Sequence, residues 1–358
     1  MKIKSIQTKR VTIPLRKPFK TALRTVYQVE DVLVCLQTDE GILGYGEAPA
    51  TAVITGETLE SIEAAIHYFI APTLTGCSLM ELDTLFHKMD GCMIHNTSAK
   101  AAVDMAIYDA YAKMLGMPLY QLLGGAANEI ETDLTISVND IPQMVSDSLE
   151  AIRRGYRILK VKVGKEGLAD VKRMKEIRNA VGPDIKIRVD ANQGWEPKEA
   201  VRIIHALEDA NVNAELVEQP VKADDFSGMQ FVTSRVNTKI LADESVFSAK
   251  DAIRIIEGRA ADLINIKLMK TGGIHEAVKI CDIAQTYGVE CMMGCMLEGK
   301  VAVSAAAHLA AARHIVTRAD LDGPSLCAVD PYKDGPLFEE EIIRLLDAPG
   351  IGISALPD

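Results

Sequence analysis

Five short stretches each close an apolar run with a side chain able to hold a metal ion or to move a proton. They are Lys160-Val-Lys162, Lys186-Ile-Arg-Val-Asp190, Leu216-Val-Glu218, Ile240-Leu-Ala-Asp243 and Leu263-Ile-Asn265-Ile-Lys267. From Lys162 to Lys267 the reactive residues follow one another at steps of 28, 28, 25 and 24 positions. A strand, a returning helix and two loops take about that length. One reactive side chain per unit, always at the strand's end, is the layout of a β/α barrel with its chemistry at the C-terminal mouth.

Alone, Asp190-Ala-Asn192 reads as a turn and helix cap. Three carboxylates in register change that reading. Asp190, Glu218 and Asp243 end successive strands and face one another across the mouth, where they repel unless a cation sits among them. Oxygen ligands with no histidine or cysteine nearby favour a hard ion, Mg2+. Asn192, Gln219 and Glu244 follow closely and are placed to orient those ligands. Lys162 precedes the carboxylates by one strand and Lys267 follows them by one, so two amines flank whatever the ion holds. Lys160 shares a face with Lys162, and Asn265 with Lys267. Like charges at i and i+2 lower each other's pKa, which favours a neutral lysine base. An ion holding a substrate carboxylate stabilises the enediolate formed when the α-proton leaves. A base on one face and an acid on the other return the proton with inversion, a 1,1-proton transfer.

The elements that must position these residues follow from periodicity. Short strands at Leu134–Val138, Ile158–Val163, Lys186–Asp190, Ala214–Glu218, Ile240–Ala242, Leu263–Lys267, Glu290–Met293 and Arg318–Leu321 alternate with helices such as Pro142–Arg153, Asp170–Val181, Pro197–Ala210, Ala249–Glu257 and Ile274–Tyr287. Eight strands with intervening helices give an α/β class, closed parallel barrel. Residues 1–50 alternate like antiparallel strands, with a hairpin turn at Asp39-Glu-Gly41. Pro18 to Thr25 reads as a polar loop or lid, and Val53 to Thr58 as a second one leading into a helix from Leu59 to about Ile70. A strong helix is predicted over Ser98–Leu115, capped by Ser98 and stopped by Gly116 and Pro118. The expected division is an α+β capping domain at 1–125, the barrel at 126–322 and a C-terminal segment at 323–358 that returns to the first domain. The chain's 358 residues suffice for both units.

Composition narrows the partners. A net charge of −11 argues against nucleic acid and anionic membrane surfaces. No stretch of 18 uninterrupted apolar residues and no N-terminal signal-like run is present. Seven cysteines, an odd count without a Cys-x-x-Cys pair, fit reduced thiols in a cytoplasmic protein. A homo-oligomer acting on a small molecule is the expected state.

The five stretches, with Glu218-Gln-Pro220, Ala242-Asp-Glu-Ser245 and Lys267-Leu-Met-Lys270-Thr-Gly-Gly273, closely resemble the muconate-lactonizing subgroup of the enolase superfamily. Ala102-Val-Asp-Met-Ala-Ile-Tyr-Asp109 resembles that family's capping-domain helix. The resemblance implies a (β/α)7β barrel, Mg2+ on Asp190, Glu218 and Asp243, and Lys162 and Lys267 as the bases. The histidine–aspartate pair of the mandelate-racemase branch is absent, since the seventh strand ends in Gly294-Cys295. The eighth strand reads Ala319-Asp320-Leu321-Asp322. Two carboxylates at i and i+2 can bind an α-ammonium, and the pair resembles the Asp-x-Asp motif of dipeptide epimerases. Lys20-Thr-Ala-Leu-Arg24 is similar to the loop of epimerases acting on L-Ala-D/L-Glu, in which an arginine pairs with the glutamate side chain. This resemblance makes Arg24, Lys160, Asp320, Asp322, Cys295 and Met296 the substrate-binding set. Cys295 and Met296, beside Leu297 and Glu298, also resemble epimerases of hydrophobic dipeptides. Other readings are a cycloisomerase or succinylbenzoate synthase of the same subgroup, a Schiff-base aldolase, and a non-catalytic descendant. The histidines at 275, 308 and 314 read as structural.

Overall fold

A computed structural model describes residues 1–357. The N-terminal third opens with a three-stranded antiparallel sheet of β1 (Ile3–Lys20), β2 (Thr25–Thr38) and β3 (Leu43–Pro49). The Pro18–Thr25 segment, expected as a loop or lid, is strand at both ends and a turn between them. After an irregularity beyond Pro14, pairing resumes with Phe19 opposite Val26 and Lys20 opposite Thr25. Only Thr21–Arg24 turns, held by the Thr21 hydroxyl, which accepts from the amides of Leu23 and Arg24. Exposure along the arm does not alternate regularly, so its sequence carries no strand period to find.

There follow α1 (Leu59–Ala65), a π-helical turn at Ile66–Ile70, α2 (Ala71–Leu74), α3 (Leu82–Cys92), α4 (Thr97–Met114) and α5 (Leu119–Leu122). Of these, α1, the π-helical turn, α2 and α4 pack on the sheet, α3 lies on α2 and α4, and α5 on α4. Helix α4 lies on β3 so closely that a side chain at Gly46 would collide with the Ala102 carbonyl, and one at Gly44 with that of Ala106. Ser98 does not cap α4. The cap position is Asn96, whose side chain makes no capping bond. Buried Glu57 instead accepts from the amides of Ser98 at 2.9 Å and Ala99 at 3.1 Å. A carboxylate at a helix N-terminus satisfies orphan amides and faces the positive end of the dipole, and here it comes from a preceding loop.

The short strand β4 (Glu129–Glu131) leads into the barrel. In order come β5 (Leu134–Ile136), α6 (Ile141–Arg153), β6 (Ile158–Lys162), α7 (Ala169–Val181), β7 (Lys186–Asp190), α8 (Pro197–Asp209), β8 (Ala214–Glu218) and α9 (Phe226–Thr233). Then follow β9 (Lys239–Ala242), α10 (Ala249–Glu257), β10 (Leu263–Ile266), α11 (Leu268–Thr271), α12 (Ile274–Tyr287), β11 (Cys291–Gly294), α13 (Lys300–Ala312) and β12 (Val316–Asp320). All eight strands from β5 to β12 pair in parallel with their sequence neighbours. Leu216, Leu241, Leu263 and Met292 form one buried cluster contributed by four of these strands.

Among the described residues no backbone ladder joins β12 to β5. Side chains bridge that seam: the Leu321 amide donates to the Thr132 hydroxyl at 2.8 Å, and the Thr135 amide to Asp322 Oδ2 at 2.6 Å. No long helix follows β12. The chain makes α14 (Gly323–Leu326) and then the small strands β13 (Lys333–Asp334), β14 (Leu337–Glu339), β15 (Ile342–Arg344) and β16 (Ile353–Ala355). Strand β15 pairs with β4, the Tyr332 hydroxyl donates to Glu47, and the Ile351 amide donates to Asp109. Among the described residues no helix is long and apolar enough to cross a membrane.

Candidate active site

Parallel register places the charged strand ends side by side. Lys162 pairs with Asp190 and Asp190 with Glu218, while Glu218 pairs with Leu241, so Asp243 stands two residues past its neighbour's level. All of these side chains are buried. Lys160 reaches under the mouth and lies 3.2 Å from Asp190, 2.7 Å from Glu218 and 2.6 Å from Asp320. Lys162 bonds Asp190 at 2.6 Å, and Lys267 bonds Asp243 at 2.7 Å. Asn265 donates to Glu218 Oε1 at 2.9 Å.

Burial alone would lower the lysines, but the facing carboxylates outweigh it. They hold Lys160 and Lys267 well above the usual lysine range. The lowering of Lys160 expected from its neighbour Lys162 is overridden, because Asp320, Glu218 and Asp190 all face the Lys160 amine. The carboxylates diverge among themselves. Burial and the neighbouring Asp190 push Glu218 up to about 7, with Lys160 opposing. For Asp243 burial acts upward, but Lys267 and Lys270 win and hold it far below its ordinary value. Burial, with Asp243 and Asp190 nearby, raises Glu244 to about 8.

Among the described residues no three acidic, histidine or cysteine side chains stand arranged as a ready ion cage; lysine ammoniums pair with the carboxylates instead. The donor chemistry nevertheless fits a hard divalent cation. Glu218 Oε2 and Asp243 Oδ1 lie within ion-pair distance of Lys160 and Lys270 without an aligned hydrogen bond, and buried oxygens of Asn192 and Glu244 have no partner. Oxygens of this kind, buried and under-satisfied around three carboxylates, are what such an ion coordinates.

The residues expected to orient the ligands divide into two roles. Asn192 and Gln219 adopt left-handed backbone, with φ of 43° and 36°, where the strands break into loops. The Asn192 amide donates to Asp190 at 2.8 Å, and its side chain lines the cavity. Gln219 turns away from the cavity. Its oxygen accepts from the amides of Asp243 at 2.9 Å and Ser245 at 3.2 Å, and its nitrogen donates to Ser245 Oγ at 2.8 Å. It fixes the next strand's ending rather than its own.

A cavity of about 60 Å³ opens onto Lys162, Lys267, Asn192, Glu244, Asp320 and Asp322. Cys295, Met296 and Leu297 form one wall, the Thr51–Ile54 loop another, and Arg24 from the β1–β2 turn a third. Burial holds the Cys295 thiol well above its usual value, so it is a neutral wall and not a nucleophile. Arg24 has no carboxylate within ion-pair distance among the described residues, and burial lowers its guanidinium slightly against the pull of Asp31. Asp320 and Asp322 both reach the cavity, though only Asp320 lies on the strand. Asp322 begins α14 in a helical conformation. Burial acts upward on Asp320, but Lys160 draws it down to about 2, whereas burial and Asp320 push Asp322 up to about 6.

Two contributors escaped the sequence reading. Lys270, fully buried, forms an ion pair with Asp243 Oδ1 at 2.6 Å and donates to the Asp243 carbonyl and to the Asn265 carbonyl at 3.0 Å. Its position three residues after Lys267 on α11 was the available signal, since i and i+3 share a helix face. Thr135, which fixes Asp322 and lines the cavity, carried no signal at all.

Comparison with known proteins agrees with this geometry. Residues 3–124 match the family model for the mandelate racemase / muconate lactonizing enzyme N-terminal domain, and residues 143–358 match the enolase C-terminal domain-like model. The chain is 53% identical over 356 residues to an L-Ala-D/L-Glu epimerase of Clostridium acetobutylicum, covering 99% of each chain. It superposes with a TM-score of 0.98 and 48% identity on a substrate-liganded complex of the L-Ala-D/L-Glu epimerase from Bacillus subtilis, covering 100% of both chains. A dipeptide epimerase from Enterococcus faecalis V583, solved with Mg and L-Leu-L-Tyr, matches with a TM-score of 0.96 and 44% identity over 99% of this chain and 100% of that one.

Proposed function

The chain belongs to the enolase superfamily, within its mandelate racemase / muconate lactonizing enzyme family, and from that premise we propose that it is a dipeptide epimerase inverting the C-terminal Cα of L-Ala-D/L-Glu. It is an isomerase in which Asp190, Glu218 and Asp243 would hold Mg2+, supplying positive charge against the substrate α-carboxylate and the enediolate that forms from it. Lys162 and Lys267 stand on opposite sides of the cavity. One takes the α-proton and the other delivers a proton to the opposite face, and the roles exchange with the epimer bound. Asp243 holds Lys267 protonated, so Lys267 must leave that carboxylate before it acts as a base. Asp320 and Asp322 receive the substrate ammonium. Arg24, half-buried and without a carboxylate within ion-pair distance among the described residues, receives the glutamate side chain.

One observation carries the reading: a single cavity is lined at once by both lysines, the Asp320–Asp322 pair and Arg24. These charges complement the α-carboxylate, ammonium and distal carboxylate of alanyl-glutamate. Muconate and succinylbenzoate have no ammonium to occupy the aspartate pair. The wall of Cys295, Met296, Leu297 and Ile54 favours a second reading, in which the same chemistry acts on hydrophobic dipeptides.

The deciding experiment is Cα proton exchange in D2O with Mg2+ across a library of L,L-dipeptides, read by mass for the native chain and for Arg24→Met. Exchange concentrated on Xaa-Glu and lost in Arg24→Met supports the first reading. Exchange on aliphatic or aromatic dipeptides, insensitive to Arg24, replaces it with the second. Exchange on none rejects both.

A further inference from the structure

Where an eighth helix would otherwise cover the barrel, between its last and first strands, the molecule has a cavity of about 400 Å³. It lies between the end of β1, β5, α6 and α14, and shares Phe19, Thr135 and Leu326 with the active-site cavity. The active-site cavity itself holds only about 60 Å³, whereas small-molecule sites span roughly 300–1,000 Å³. We propose that this seam cavity receives the side chain of the substrate's first residue, and that it favours long side chains ending in a carboxylate or amide over those ending in an ammonium. The inference rests on the dipeptide reading above.

The placement follows from the seam. Asp322 is pinned to the Thr135 amide at 2.6 Å. An ammonium held by Asp320 and Asp322 therefore sets the first residue's Cα beside Thr135, the residue common to both cavities. The second residue's α-carboxylate points toward the metal-site carboxylates and its side chain toward Arg24, so the seam is the opening left for the first side chain.

The charge preference follows from the lining. The two carboxylates there, Asp147 and Glu150, are both taken by Lys17, at 2.9 and 2.7 Å. Lys20 donates to Asn139 Oδ1 at 2.7 Å and Arg16 to the Cys327 carbonyl at 2.8 Å. Neither has a carboxylate within ion-pair distance among the described residues. The cavity thus carries unmatched positive charge beside neutral donors and acceptors such as Ser137 and Gln143, which repels an ammonium and suits a carboxylate or amide.

The test compares kcat/KM for L-Ala-L-Glu, L-Gln-L-Glu, L-Glu-L-Glu and L-Lys-L-Glu in the native chain, Gln143→Trp and Lys20→Met. Gln143 sits on the first turn of α6 with its side chain at the cavity, and an indole there narrows the space. The native chain is expected to turn over Gln-Glu and Glu-Glu at least about tenfold better than Lys-Glu. Gln143→Trp is expected to lower the Gln-Glu to Ala-Glu ratio by about tenfold, and Lys20→Met to lower the Glu-Glu to Gln-Glu ratio. Ratios unchanged in both variants, with Ala-Glu still turned over, overturn the seam subsite and leave the epimerase intact. Turnover of Lys-Glu equal to Gln-Glu overturns the charge preference. No turnover of any substrate, Ala-Glu included, rejects the epimerase and the subsite together.

Discussion

His275 joins the capping helices to the barrel, and its removal has a computable, pH-dependent cost. It sits on α12 with Nδ1 2.8 Å from Asp104 on α4 and Nε2 2.9 Å from Asp90 on α3, its ring stacked 4.7 Å from Phe86. Asp104 also accepts from the Ile274 amide at 2.5 Å. Burial acts to lower the imidazole, but the bonds to Asp104 and Asp90 outweigh it and raise His275 from 6.5 to about 9. Burial acts to raise Asp90, but His275, with Lys100 and Lys279 adding to it, draws it below its ordinary value. A rise of that size corresponds to roughly 3 kcal/mol at 1.36 kcal/mol per unit, and about 2 kcal/mol after allowing for the solvent reaching Asp90. The folded-state pKa lies above the unfolded one. The stabilisation is therefore complete below about pH 6.5 and disappears as pH rises through about 9. At two to three degrees per kcal/mol, roughly, His275→Gln should lower Tm by about 5 °C at pH 6. The gap should shrink steadily by pH 9.5. Calorimetry of both proteins across that range reads it directly. A gap that stays constant with pH means that the loss comes from packing alone, and the ion-pair reasoning fails.

Replacing Lys162 or Lys267 with methionine should cut epimerisation at least about 100-fold, while each variant still exchanges the α-proton of one epimer and not the other. Loss of exchange from both epimers in both variants contradicts a two-sided mechanism. Glu57→Ala leaves the buried amides of Ser98 and Ala99 without partners and should cost roughly 2–3 kcal/mol in urea denaturation; an unchanged midpoint refutes the remote cap. Gly46→Ala forces a methyl group into the Ala102 carbonyl and should destabilise by about 3 kcal/mol. Gly91→Ala, with open space around it in α3, should instead stabilise by up to about 1 kcal/mol. Equal effects from the two glycines would show that close packing of α4 on β3 is not what Gly46 provides.

The barrel was legible because its strands are short apolar runs that each end in a charge. Lys186–Asp190 and Ala214–Glu218 emerge with the boundaries read from periodicity, and the lysines and carboxylates at their ends meet as the register requires. Asp320 and Asp322 both reach the cavity, yet by a different route from the one expected, since the second belongs to a helical turn. What stayed hidden was set by distant partners. Ser98 had the right chemistry for a cap, but Glu57, more than forty positions earlier, had already taken the amides. His275 carried no ligand spacing, because its two carboxylates come from helices about 170 and 185 residues away. The seam cavity is formed by an absent helix, and no residue type records an absence.

The bond between the Thr135 amide and Asp322 closes the ring and touches the substrate position at once. An amide whose nitrogen lies 2.6 Å from a carboxylate oxygen has its proton far downfield, and the shift follows the charge on that carboxylate. When an ammonium settles on Asp322, that single proton should move. The barrel thus contains its own occupancy reporter, one nitrogen-labelled amide from which substrate binding can be titrated without any turnover.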